Sequence, residues 1–147
     1  MSLATTLGVL IVAWPVALGL ALVDRIDEGP STASALVYVA ASGVCHQQPA
    51  RSFHTHGVQW PVCARCAGLY LAGPLGLLAA AGRRPGRRSV MAAVVAASAL
   101  PTAITWAIEA AGLVAVPPVV RCVAALPLGA AIACALAGLA RPADRIG

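Results

Sequence analysis

The sequence predicts an all-α integral membrane protein, a four-helix bundle with one short interfacial or re-entrant helix. Three observations lead there. Of 147 residues, 60% are hydrophobic and only 10% charged, whereas soluble domains carry about 25% charged residues. The mean hydropathy is +0.86. The apolar residues are mostly Ala, Leu, Val and Gly, a composition that lets helices pack closely in lipid. They fall in runs of about 20, enough to cross a hydrocarbon core of roughly 30 Å. A single membrane domain, residues 1–147, fits this length.

Taken in order, residues 4–23 form the first span. The run lacks a basic leading region and exceeds the roughly 7–15 residues of a signal-peptide core, so it reads as a retained helix. Pro15 is tolerated as a kink inside the bundle. Asp24-Arg25-Ile26-Asp27-Glu28-Gly29-Pro30 reads as a charged turn. Ser31 then caps a helix over residues 31–44, too short to span and placed to deliver Cys45-His46. Residues 45–60 are a polar connector. Pro61 occupies the favoured first position of a helix and opens the second span, 61–82, with Cys63, Arg65 and Cys66 in its first turns. The loop Arg83-Arg84-Pro85-Gly86-Arg87-Arg88 follows. The third and fourth spans cover 89–111 and 118–139, and Arg141 and Arg145 lie beyond. Trp14, Trp60 and Tyr70 suit interface anchoring.

Charge sets the expected orientation. All ten basic residues are Arg and the net charge is +5. The arginine-rich loop belongs in the cytoplasm. An even number of spans then puts both termini in the cytoplasm and the start of the second span on the exoplasmic side, with Arg25, Arg51, Arg65 and Arg121 also outside. The expected location is a bacterial inner (plasma) membrane. The expected partners are lipid and a membrane protein or second copy of the chain. No aromatic-interleaved basic face points to nucleic acid.

The chemistry is concentrated in the connector and the helix after it. Cys63-x-x-Cys66 is half of a tetrahedral metal site, because two thiolates at that spacing converge on one ion. Cys45 supplies a third sulfur, and His46, His54 or His56 a fourth donor. Three Cys and one His form a closed zinc shell of the structural type. The same atoms suit a second chemistry. A CxxC at a helix N-terminus has its thiolate stabilised by the helix dipole, and Arg65 between the sulfurs adds to that. A membrane thiol-disulfide oxidoreductase with Cys63 and Cys66 as its redox pair, coupled to a quinone or a protein partner, is therefore the alternative function. An accessory subunit docking through the connector is a third. Haem attachment needs His directly after the second Cys, and Ala67 stands there. Cys122 and Cys134 sit in an apolar run and read as small hydrophobes. Glu109 and Arg121, at the outer ends of their spans, are expected to pair beneath the site.

Cys45-His46-Gln47, Pro49, Arg51-Ser52-Phe53, Gly57, Pro61-Val62-Cys63-Ala64-Arg65-Cys66 and Gly68-Leu69-Tyr70 together resemble the signature of a prokaryotic family of small predicted membrane proteins, domain of unknown function 2085. The resemblance covers the connector and the start of the second span closely. It extends more loosely through Pro101, Gly112, Arg121 and Gly129. It implies a site of Cys45, His46, Cys63 and Cys66 and weakens the case for His54 and His56; Arg51, Arg65, Glu109 and Arg121 are read from their charge and placement as supporting residues. Family members often carry an Asp-Gly pair and a Gln in the third span, where this chain has Thr105-Trp106 and Glu109. The resemblance brings no assigned reaction.

Overall fold

Ser2 accepts a hydrogen bond from the Thr5 N–H at 3.2 Å and starts the first helix, α1, over Leu3–Asp27. The computed structural model describes residues 2–81 and 87–140. Arg83, Arg84, Arg141 and Arg145, used above for orientation, lie outside them. Helix α1 continues through Asp24-Arg25-Ile26-Asp27, where the sequence suggested a turn. No helix breaker lies between Val23 and Gly29, and Arg25 in the last turn complements the negative helix end. The helix stops at Gly29, whose φ of 81° is the left-handed conformation that ends helices, with Pro30 behind it.

Helix α2, Thr32–Ser42, opens with a reciprocal cap. The Ser34 N–H donates to Ser31 Oγ and the Ser31 N–H to Ser34 Oγ, each at 3.1 Å. Ser31 Oγ also donates to Asp24 at 2.5 Å, fastening α2 to the end of α1. The Arg25 guanidinium lies 3.7 Å above the Tyr38 ring centroid, a cation–π contact that strengthens the same corner.

The connector is not a loop. After a 3-10 turn at Pro49–Arg51, strands β1 (Ser52–Thr55) and β2 (Val58–Cys63) pair antiparallel, with Ser52 opposite Cys63 and Thr55 opposite Val58. The two-residue turn His56-Gly57 has φ of 51° and 80°, the double left-handed geometry that suits strand twist. The described residues are thus mostly helical, with five α-helices and one small sheet, rather than all-α. Pro61 stands in β2, not at a helix start. The pairing is irregular between Ser52 and His54, and a bulge of this kind tolerates a residue with no N–H to donate.

The remaining helices are α3 (Ala64–Ala80), α4 (Arg88–Ala110) and α5 (Pro118–Ala140). Among the described residues, α1, α4 and α5 are long and apolar enough to cross a membrane. Helix α3, with 17 residues, is about 26 Å long. It loses its expected first turn because residues 61–63 are committed to β2.

Small residues decide the packing. Ala64, Gly68, Ala72, Gly76 and Ala80 recur every fourth position along α3, all buried, and Arg121, Ala125, Gly129 and Ala133 do the same on α5. A Cβ on Gly68 would sit 2.2 Å from the Cys122 carbonyl oxygen, and one on Gly76 2.1 Å from that of Ala130. The two helices therefore run parallel, backbone against backbone, the contact that small residues at four-residue spacing permit in lipid. Helix α1 lies antiparallel to α3, with Ile11 against Gly73. Helix α4 packs on α5, donates from Thr102 Oγ1 to the Ala124 carbonyl at 2.8 Å, and buries none of its residues. The arrangement is a tight central pair, α3 and α5, with α1 packed on both and α4 packed on α5.

This packing predicts that Gly129→Leu destabilises the folded protein by about 3 kcal/mol or more, since overpacking alone costs about 1–3 kcal/mol and here the obstacle is backbone. Gly8 has nothing within 4 Å of a built Cβ, so Gly8→Ala is neutral or mildly stabilising. Thermal unfolding in detergent, followed by size-exclusion chromatography, checks both.

Candidate metal centre

Three separate pieces of backbone deliver the three sulfurs. Cys45 follows α2, with its N–H held by the Ala41 carbonyl at 2.9 Å. Ala41 is fully buried, which anchors Cys45 in the interior at 5% exposure. Cys63 ends β2 and stands in extended conformation just before α3, and its N–H donates to Cys45 Sγ at 3.1 Å. Cys66 lies one turn into α3. The Sγ atoms of Cys45, Cys63 and Cys66 all lie within 4.8 Å of one another. Leu18, Ala41, Val62 and Ala67 wall the group with apolar surface.

A glutamine lattice holds Cys45 against Cys63. Gln47 adopts a left-handed φ of 46°, which turns the chain. Its side-chain amide donates to the Tyr38 carbonyl at 2.8 Å and the Pro61 carbonyl at 2.7 Å. Gln59 Nε2 donates to the Gln47 carbonyl at 2.6 Å, and the Tyr38 hydroxyl to the Gln59 carbonyl at 2.7 Å. Ser52 Oγ donates to the Gln48 carbonyl at 2.9 Å. Gln47 and Ser52 belong to the family-like motif, but nothing in the sequence shows this bonding role for them, for Tyr38 or for Gln59. Glutamine has no periodicity to betray it, and its partners are backbone carbonyls of another segment.

His46 does not join the group. It is exposed, as are His54 and His56, and the metal-compatible cluster contains the three cysteines alone among the described residues. The reason is local. Cys45 and His46 are consecutive in non-helical chain, and burying the first leaves the second in solvent. Cys122 and Cys134 also stand apart from the cluster. The Cys122 carbonyl instead receives the face of Gly68.

Glu109 links three helices. It forms ion pairs with Arg65 of α3 and Arg121 of α5, the latter including a bond from Nε at 2.7 Å. Arg121 Nη1 donates to the Ala50 carbonyl in the connector at 3.4 Å. The Glu109 and Arg121 side chains are each 8% exposed. Arg51, beside Ala50, is exposed and enters no described ion pair. The Arg65 contact has no sequence signal, since 44 positions separate the two residues.

The thiols differ in acidity. Hydrogen bonding with the Cys66 thiol, and beyond it with the Cys66 and Arg65 backbone and the Cys45 thiol, holds the Cys63 thiol well below its usual range, although burial opposes this. A sulfur with that many donors is ready to act as a thiolate.

A family model described as "Predicted membrane protein (DUF2085)" matches residues 45–135, from the first cluster cysteine to most of α5. The chain belongs to the DUF2085 family. Two archaeal proteins are similar to parts of it. An uncharacterized protein of Methanocaldococcus jannaschii is 42% identical over 45 residues, 31% of this chain and 29% of that protein. An uncharacterized protein of Methanothermobacter thermautotrophicus is 50% identical over 28 residues, 19% of this chain and 25% of that one. The chain thus spans less than a third of the length of these relatives. No solved structure matches. The match starts at Cys45, after helices α1 and α2.

Two outcomes follow from the geometry. Glu109→Gln strands two guanidinium groups and lowers the melting temperature more than the paired change Glu109→Leu with Arg121→Leu, because removing one partner leaves charge uncompensated; equal melting temperatures contradict the linkage. Metal-free protein alkylates at Cys63 with a pH midpoint below the roughly 8.5 of a free thiol. A depressed pKa keeps the thiolate as pH falls, so reactivity persists into mildly acidic buffer. Mass spectrometry after a timed iodoacetamide pulse reads it.

Proposed function

We propose that this is a multi-pass membrane protein whose cysteine cluster binds a soft metal ion, zinc first, at the outer membrane surface. The observation that carries it is the convergence of three sulfurs within 4.8 Å from three different segments. A Zn–S distance of about 2.3 Å places tetrahedral sulfurs about 3.8 Å apart, so binding needs shifts of about 1 Å at most. Thiolates select soft or borderline ions. Three of them with a divalent ion carry a formal charge of −1, and the Arg65–Glu109–Arg121 group supplies +1 nearby.

Helix α3 acts as the fourth span in this reading. It is short, but it lies parallel to α5 from Gly68 to Gly76, and it shares the depth of its neighbour. The cluster sits at the N-terminus of α3, and the arginine-rich stretch follows the other end of that helix in the sequence. A cytoplasmic loop therefore puts the metal on the exoplasmic side, with both ends of the described chain cytoplasmic.

Thiol–disulfide exchange is the second reading, favoured by the lowered Cys63 thiol beside Cys66. An exoplasmic position suits it. The two readings part on one preparation. Metal binding predicts close to one zinc per chain after purification without chelator, and loss of most of it in Cys45→Ser, Cys63→Ser or Cys66→Ser. Metal-free protein carrying a Cys63–Cys66 disulfide, with a measurable midpoint potential, supports exchange instead. Elemental analysis and thiol-trapping mass spectrometry decide.

A further inference from the structure

We infer that the metal is held by three protein thiolates only, and that its fourth coordination position takes a small exchangeable donor from outside the chain. This rests on the metal reading above and goes beyond it. A closed shell needs a fourth ligand, and the three imidazoles nearest in sequence, His46, His54 and His56, are all exposed and outside the cluster. Their positions are fixed by structure. His46 follows a buried Cys45, His54 pairs with Gln59 in the hairpin, and His56 forms the tight turn with φ of 51°. None of the three brings its imidazole into the sulfur group. Among the described residues no carboxylate joins the group either, and Glu109 is engaged by Arg65 and Arg121.

The site is open to such a donor. Cys45 is buried, but Cys63 and Cys66 are each only partly covered, so the ion is reachable on their side. A metal with three protein ligands and one exchangeable position is the arrangement of reactive rather than purely structural zinc.

Charge limits the donor. Arg65 and Arg121 outweigh Glu109 by one charge, and a divalent ion with three thiolates offsets it. Arg51 is exposed to solvent and does not alter that balance. The outside donor is therefore one the site exchanges readily, water or a weakly held small anion, since excess buried charge is costly.

The test uses the full chain in detergent, reduced with a phosphine, loaded with Co2+ in place of zinc and titrated with sodium azide or with 2-mercaptoethanol. The expected result is a sulfur-to-cobalt charge-transfer band in the untreated protein and a saturable change in the cobalt visible spectrum with azide, the thiol or both. The two arms separate a general anion site from one selective for thiolate. His46→Ala, at an exposed position, leaves spectrum and response unaltered. A spectrum insensitive to both probes overturns the open position, and a spectrum altered by His46→Ala shows that the chain closes its own shell. No charge-transfer band in the wild-type protein overturns the metal reading itself, a different failure from either of these.

Discussion

The ion group of Arg65, Glu109 and Arg121 is the constraint on which the rest depends. Helix α4 buries no residue, so apolar packing does little to fix it. Its place is set by Glu109 at one end and the Thr102 bond to α5 further along. A carboxylate near the membrane interior needs partners, and here it has two, on different helices. One partner lies between the CxxC cysteines. The other reaches back to Ala50, ahead of the hairpin. A single side chain therefore relates three helices and the connector at the end of the molecule where the sulfurs meet.

The second determinant is the contact between α3 and α5. Lipid provides no hydrophobic drive between helices, so association depends on close backbone approach. The small residues on both helices supply it, and they make α3 a rigid mount for Cys66. On the side facing α1 the packing is looser. A cavity of about 450 Å³ lies there among Leu10, Ile11, Trp14, Tyr70, Gly129 and Ile132. Trp14 and Tyr70 meet edge to face at 6.2 Å and stand between this cavity and the thiol group. The cluster is thus braced by hydrogen bonds on its connector side and by aromatic rings on its helix side.

Helices were legible in the sequence because long apolar runs in a chain this poor in charge have few other fates. The sulfur site was legible in part, since reactive residues stood out against an apolar background. The hairpin was not. Its His56-Gly57 turn lacks the Asn-Gly pattern that announces such turns, and Pro61 before a helical stretch imitates a helix start. His46 illustrates a second limit. Adjacency to Cys45 suggested a shared role, but consecutive residues outside a helix face different surroundings, and only coordinates separate the buried one from the exposed one. The Glu109 pairing with Arg121 is suggested by two charges at facing ends of a helix hairpin. The pairing with Arg65 depends on helix rotation, which apolar runs without clear periodicity do not encode.

The central claim is that three sulfurs from α2's end, β2's end and α3's first turn share one ion. X-ray absorption at the zinc edge of the loaded, full-length protein tests it most directly. The account predicts three sulfur scatterers at about 2.3 Å and one lighter or exchangeable scatterer. A first shell of nitrogen and oxygen, or one with fewer than three sulfurs, would contradict it.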